Sequence, residues 1–346
     1  MQKNERKFEI LYAIIKDYIK TAEPVGSRTI EKKYKLGISS ATIRNEMADL
    51  EEMGYLIQPH TSAGRIPSDK AYRLYVDQFM QVFDLDDSIT ENVREQYEAY
   101  MGELNASIKK TAEILTKLTN YTSLVMSPNI ATLNIRDVRL IPIENERVLL
   151  IVITKQGIVK NAELKLTFIP SASQVERVTN FLKICIKDIE AEFLLTHFGA
   201  EYEALGRGEQ KILSEVVPAI KYVLTVDTES KVYANGITQI FNYPEFQDMH
   251  KAKQFLETLH KQELLSALLN EAMETPFDIK IGNENAIEEL NECSIMTATY
   301  KLNGKPIGSI GLVGPTRMDY DRCVSALNAL TKEFTDYINK SMGGEE

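Results

Sequence analysis

A chain of 346 residues exceeds what one hydrophobic core serves, so two or three domains are expected. Its 44% apolar and 26% charged residues suit a globular protein, and the longest purely aliphatic run, the six residues Val148–Ile153, falls far short of the ~20 needed to span a bilayer. The charged start, Met1–Arg6, has no apolar run behind it as a secretory signal would, which places the chain in the cytoplasm with no membrane partner. A net charge of −10 argues against a nucleic-acid binder, yet residues 1–75 hold 13 Lys and Arg against 10 Asp and Glu, while the rest holds 27 against 40. The basic excess of that first segment is only +3, so useful affinity for a phosphate backbone requires two copies. Three cysteines (Cys185, Cys293, Cys323) and four scattered histidines form neither a disulfide framework nor a metal-ligand spacing, so no metal or cofactor is expected.

The first helix places Phe8, Leu11, Ile14, Ile15, Tyr18 and Ile19 on one face, and Glu23-Pro24-Val25-Gly26 ends it. Ser27 is expected to cap a short second helix, Arg28 to Tyr34, with Gly37 beyond its end. Ser39 caps a third helix that runs to about Met53 and stops at Gly54. A short strand, Tyr55–Gln58, leads into a loop rich in Pro, Ser and Gly, and a further helix carries Tyr72, Leu74, Tyr75, Val76 and Phe79. Asp84–Asp87 reads as a hinge, and Ser88 with Glu91 as a capping box opening one long helix whose apolar positions run from Val93 to Leu118.

From Leu124 the period becomes strand-like, with β-rich runs at Val138–Ile143, Val148–Thr154 and Ile158–Leu164 and a turn at Lys155-Gln156-Gly157. Helical segments follow from Ser173 to Leu224, punctuated by Gly199, Gly206 and Gly208. A short hairpin is expected around Asn235-Gly236, and one helix over His250–Met273. Strands return at Phe277–Ile281, Ser294–Leu302 and Lys305–Val313, the last two joined by Asn303-Gly304, and a helix closes the chain from Tyr320 to about Asn339. The order strands, helices, strands predicts an α+β domain interrupted by an insertion. The expected division is a DNA-binding domain at 1–80, a linker and long helix at 81–120, an α+β domain at 121–170 and 275–346, and an insertion at 171–274.

Three helices, the last two joined by a tight Gly-containing turn, make a helix-turn-helix, whose third helix enters the major groove. Ile43, Met47 and Leu50 share its inner face, which turns Ser40, Thr42, Arg44 and Asn45 outward. Arg grips guanine with two hydrogen bonds, Asn reads adenine, and Ser and Thr bind base or phosphate. The loop from Gln58 to Pro67 follows a strand and precedes a helix, as a wing does. There Gly64 lets the backbone turn, and Arg65, toward the tip, is placed to enter a narrow minor groove. Ser27, Arg28 and Ser39 at the helix starts, with His60, Thr61 and Ser62 along the wing, complete the candidate contacts with double-stranded DNA. Each feature also has a structural explanation: a capped surface helix, and a loop whose Arg pairs with a nearby carboxylate.

The runs Glu23–Ser27, Ser39–Asn45, Pro59–Pro67 and Asp69–Asp77, with the late run Gly308–Tyr320, resemble the HrcA family of bacterial heat-inducible repressors along essentially the whole chain, most weakly between Pro170 and Glu274. That resemblance implies a winged helix-turn-helix, a GAF-like α+β domain and an inserted α/β dimerising domain. It further implies a homodimer, an inverted-repeat operator (the CIRCE element) ahead of chaperone operons, and activation by the chaperonin.

Two other classes compete. An enzyme would need a reactive constellation, but the chain has no Gly-rich phosphate loop, nucleophile elbow or HExxH, and Gly206-Arg207-Gly208 reads as a turn. Asp319 and Asp321 fall on opposite sides of a helix start and make no catalytic pair. A regulator gated by a small molecule in the GAF-like domain is the alternative, although no polar cluster on the predicted strands names a ligand.

Overall fold

The computed structural model describes residues 3–60, 63–100, 104–128, 135–154, 159–185, 200–225 and 231–342. It opens with α1 (Lys3–Thr21), α2 (Ser27–Tyr34) and α3 (Ser40–Glu52), a two-stranded wing of β1 (Leu56–Ile57) and β2 (Ile66–Pro67), and α4 (Asp69–Gln78). Ile10, Leu11, Ile14 and Ile15 of α1 meet Ile43, Met47 and Leu50 of α3 in one buried core. The buried arc of α1 is wider than a single stripe because its other side, with Tyr12, Tyr18 and Ile19, packs toward the rest of the chain.

Next come α5 (Asp87–Glu98), α6 (Leu104–Thr119) and β3 (Thr122–Met126). The expected long helix is two helices, and the cap of the first is Asp86, whose carboxylate accepts from the N–H of Ser88, rather than Ser88 itself. Among the next elements, β4 (Ile135–Pro142), β5 (Arg147–Thr154) and β6 (Val159–Lys165) form a three-stranded antiparallel meander. They are followed by α7 (Ala172–Cys185), α8 (Ala200–Glu203), α9 (Arg207–Thr225) and β7 (Val232–Asn235). The chain ends with α10 (Met249–His260), α11 (Gln262–Glu271), β8 (Phe277–Ile281), β9 (Cys293–Leu302), β10 (Lys305–Pro315) and α12 (Tyr320–Met342).

Strand pairing redraws the expected division of the chain. An antiparallel sheet of order β7-β3-β10-β9-β8 holds the α+β, GAF-like domain together. The chain leaves that sheet after Met126 and returns at Val232. The β-rich runs between 138 and 164 therefore belong to the inserted unit, where they pack on α7 and α9 around Val138, Val148, Leu150, Val178, Val216 and Ile220. Conversely α10 and α11, placed in the insertion by the sequence reading, cover one face of the five-stranded sheet through Leu124, Ile295, Val313, Phe255, Leu265 and Leu269. Helices α6 and α12 cover the other face, against Val125, Met296, Tyr300, Ile310 and Leu312.

Two further expectations change. The helix over His250–Met273 breaks at Lys261, which takes an extended backbone. The break lets the Gln262 amide exchange two hydrogen bonds with the backbone of Val232, at 3.1 and 3.0 Å, so that it serves the edge of β7. The Asn235-Gly236 hairpin has only its first strand, and a 3-10 turn from Ile237 to Asn242 follows Gly236. Thr61, Ser62, the turn Lys155-Gln156-Gly157 and Gly199 lie outside the described residues. No helix among the described residues is long and apolar enough to cross a membrane.

Candidate nucleic-acid interface

The third helix is built as its sequence dictates. The side-chain oxygen of Ser39 accepts from the N–H of Thr42 at 3.3 Å, capping the first turn, and Ile43, Met47 and Leu50 are fully buried beneath. Ala41, Arg44, Asn45 and Ala48, spaced at three and four residues, form the exposed stripe. The alanines keep that stripe low, so that Arg44 and Asn45 are the groups that project. Thr42 and Ser40 are half-exposed at its N-terminal end. Glu46, the acid that would spoil the stripe, is buried on the other side and paired with Arg6 of α1, while Lys7 holds Asp49 at 2.6 Å. Cations of α1 thus neutralise the carboxylates on the inner side of α3.

At the start of α2 the geometry departs from expectation. Gly26, not Ser27, is the N-cap, and it offers no side-chain cap, so Ser27 begins the helix itself. The uncapped first turn and the exposed Arg28 beside it suit a phosphate. At α3 the equivalent position is already occupied, since the Glu31 carboxylate of α2 accepts from the N–H of Ser40 at 3.1 Å. Sequence reasoning missed Glu31, whose role depends on the angle between two helices. It also passed over Lys32 and Lys35, which are exposed on α2 and in the turn after it. Among the described residues Arg28, Lys32, Lys35 and Arg44 make no ion pair, whereas Lys33 is held by Asp17 at 2.6 Å.

The wing returns to the body of the domain at its base. Val25 and Arg65 exchange two backbone hydrogen bonds of 2.9 Å, adding a third short strand. A Cβ on Gly64 would lie 2.4 Å from the carbonyl oxygen of Val25, so glycine is needed for this close approach. Arg65 therefore sits at the base of the wing, not toward its tip, and its guanidinium pairs with Glu51 at 2.8 Å. The pair is partly exposed and contributes at most ~1 kcal/mol, which a phosphate can outcompete. His60 is exposed at the far end. Arg28 thus stands exposed on α2, Ser40, Thr42, Arg44 and Asn45 are exposed or half-exposed on α3, and Arg65 is engaged by Glu51.

Residues 105–324 match the family model described as HrcA protein C terminal domain. The chain is 41% identical over 340 residues to the heat-inducible transcription repressor HrcA of Ruminiclostridium cellulolyticum, covering 97% of this chain and 98% of that protein. It is also 41% identical over 346 residues to the protein of the same name from Thermoanaerobacter pseudethanolicus, with both chains fully covered. A crystal structure of a hypothetical protein at 2.2 Å resolution shares the fold, with a TM-score of 0.60 and 23% identity over 97% of this chain and 98% of its own.

Proposed function

The chain belongs to the HrcA family of heat-inducible transcription repressors, proteins that are not enzymes, and from that premise we propose that it represses chaperone operons in the cytoplasm by binding an inverted-repeat operator of the CIRCE type as a homodimer. The observation that carries this reading is the stripe of α3, where Arg44 and Asn45 stand exposed over a buried Ile43, Met47 and Leu50 and no carboxylate of that helix shares the stripe's first two turns. The two reading helices then occupy successive major grooves, about 34 Å apart. The segment's net charge of +3 makes one copy a weak binder, which supports the dimer.

The inserted unit offers the surface for that dimer. One face of its three-stranded sheet carries α7 and α9; the other presents Ile141, Leu149, Ile151, Ile153 and Val159 alongside Arg139, Asn161 and Glu163, with Ile141 and Val159 45% and 57% exposed. A largely aliphatic sheet face that no described element covers is satisfied by a second copy of itself about a two-fold axis. The chaperonin keeps the repressor competent, and heat lifts repression when that partner is diverted to unfolded clients.

Footprinting on genomic DNA upstream of chaperone operons tests the operator. Protection of two half-sites one helical turn or a multiple apart is the expected result, and absence of protection at every such promoter sinks the reading. Ile151→Glu is expected to sediment as a monomer. A native-like dimer would move the contact to another surface.

A further inference from the structure

The motifs Asp69–Asp77 and Gly308–Tyr320 carry the family resemblance, yet neither lies on the reading face. The structure joins them to each other. Asp321, buried at the start of α12, offers its carboxylate to two groups of the DNA-binding unit and one of the linker that follows it. The Tyr75 hydroxyl bonds to its two oxygens at 2.8 Å, the backbone N–H of Gln81 donates at 3.1 Å, and the Lys16 ammonium forms an ion pair. Burial, then the hydrogen bond to Asp321, raises the Tyr75 phenol far above its ordinary pKa, which keeps it a donor.

Around this centre the Tyr72 ring packs on Tyr320 at 5.8 Å. Arg73 donates to the carbonyl of Ile279 at 2.5 Å and to Glu284 at 2.8 Å. Arg317 donates to the carbonyl of Ile19, at the end of α1, at 3.0 Å. Gly282 has a positive φ of 55°, and a Cβ there would lie 2.0 Å from the Asp69 carboxylate, so only glycine admits this contact. The segment between α4 and α5 is fixed by the same helix, since the N–H of Phe83 donates to the Ser325 hydroxyl at 2.9 Å.

In this docked position Arg28, Arg44 and Asn45 remain exposed, so docking does not cover the reading face. What it fixes is where that face points. The joint also holds a weak spot, because the Tyr72 hydroxyl is buried in it without a hydrogen-bond partner among the described residues. We propose that this joint is a latch that sets the separation and orientation of the two reading faces in the dimer, and that Asp321 is its positioning residue. The inference rests on the operator reading above. Binding of the second half-site is effectively intramolecular only where the rigid span of the dimer matches the spacing of the sites, so a closed latch converts spacing into specificity.

The test uses the full chain and duplexes that carry the half-site selected by the native protein from a random pool, singly and as inverted repeats lengthened or shortened by single base pairs. The native protein is expected to prefer one spacing by about tenfold over duplexes two base pairs longer or shorter. Asp321→Ala should flatten that preference to within about twofold while single half-site affinity stays unchanged. Hydrogen exchange at the amides of Gln81 and Phe83 should accelerate in the variant, with protection in α3 unaltered. A folded, dimeric Asp321→Ala that keeps the native spacing profile overturns the latch. Should that variant fail to fold, Tyr75→Phe, which removes one hydroxyl, carries the same comparison with a smaller flattening, and an unaltered profile again overturns it. If the native protein selects no half-site at all, the operator reading fails, and hydrogen exchange alone then decides the latch: unaccelerated amides at Gln81 and Phe83 refute it.

Discussion

The N-terminal unit, to which we assign DNA binding, has two faces built on opposite principles. The face proposed to read DNA is exposed, holds few charges, and leaves Arg28 and Arg44 without partners among the described residues. The docking face is buried, aromatic and almost fully bonded, with Tyr72, Arg73 and Tyr75 all engaged by the GAF-like domain. Unpaired cations on the first face stay available for a polyanion, whose condensed counterions are released on binding. Satisfied groups on the second cannot be removed singly without leaving a buried partner unpaired. The two faces should therefore separate under mutation: one set of changes alters affinity at constant stability, the other alters stability and geometry at constant half-site affinity.

The largest effect expected on the reading side comes from Arg44→Ala. It removes an exposed side chain, so the thermal midpoint should not move, while operator binding weakens by ~1–3 kcal/mol and base preference relaxes at one position. Equal binding of operator and scrambled DNA by native and variant proteins alike would show that α3 does not read bases. A fall in thermal midpoint of several degrees would instead break the separation of the faces.

On the docking side Tyr72→Phe gives a gain. The hydroxyl of Tyr72 is buried with no hydrogen-bond partner among the described residues, so the neutral group carries a desolvation cost that no bond offsets. Removing it while keeping the ring against Tyr320 should stabilise the protein by about 1 kcal/mol. Calorimetry should show a higher midpoint, and single half-site affinity should stay at the native value. A lower midpoint would mean that the hydroxyl is satisfied in solution and the joint has no weak spot.

What the sequence made legible was what local chemistry decides. The Ser39 cap, the buried triplet Ile43, Met47 and Leu50, and the Asn303-Gly304 hairpin each follow from neighbours within a few residues, and each is present. What it hid depends on distant partners. The strand-rich stretch from Leu124 to Leu164 looks continuous in period, yet Leu124 and Val125 of β3 pair with Gly311 and Ile310 while, among the described residues, β4, β5 and β6 pair only among themselves. No periodicity distinguishes two sheets that share a composition. The helix over His250–Met273 likewise looked unbroken, because the reason to break it is the edge of β7, thirty residues away at Val232. At the candidate site, a carboxylate partner for Arg65 was legible as the structural alternative to a DNA contact, but that the partner is Glu51 follows from how the wing folds back on α3.

Glu31→Gln gives the smallest expected effect and probes the reading face at its most finely balanced point. The carboxylate accepts from the N–H of Ser40, so a negative charge already stands at the N-terminus of α3, where the helix dipole and unpaired amides would otherwise receive a phosphate. Its amide replacement keeps an acceptor oxygen for Ser40 and removes the charge that repels DNA. The fold loses one favourable charge–dipole interaction of ~0.3–1 kcal/mol, and DNA binding gains by a comparable amount. The gain should be uniform across sequences and should shrink as salt is raised, since it is electrostatic and not a base contact. Titrations of operator and scrambled duplex at two salt concentrations read both features. A variant that binds DNA no better at low salt would place Glu31 away from the phosphates, and with it the approach of α3 to the groove from its Ser39–Thr42 end.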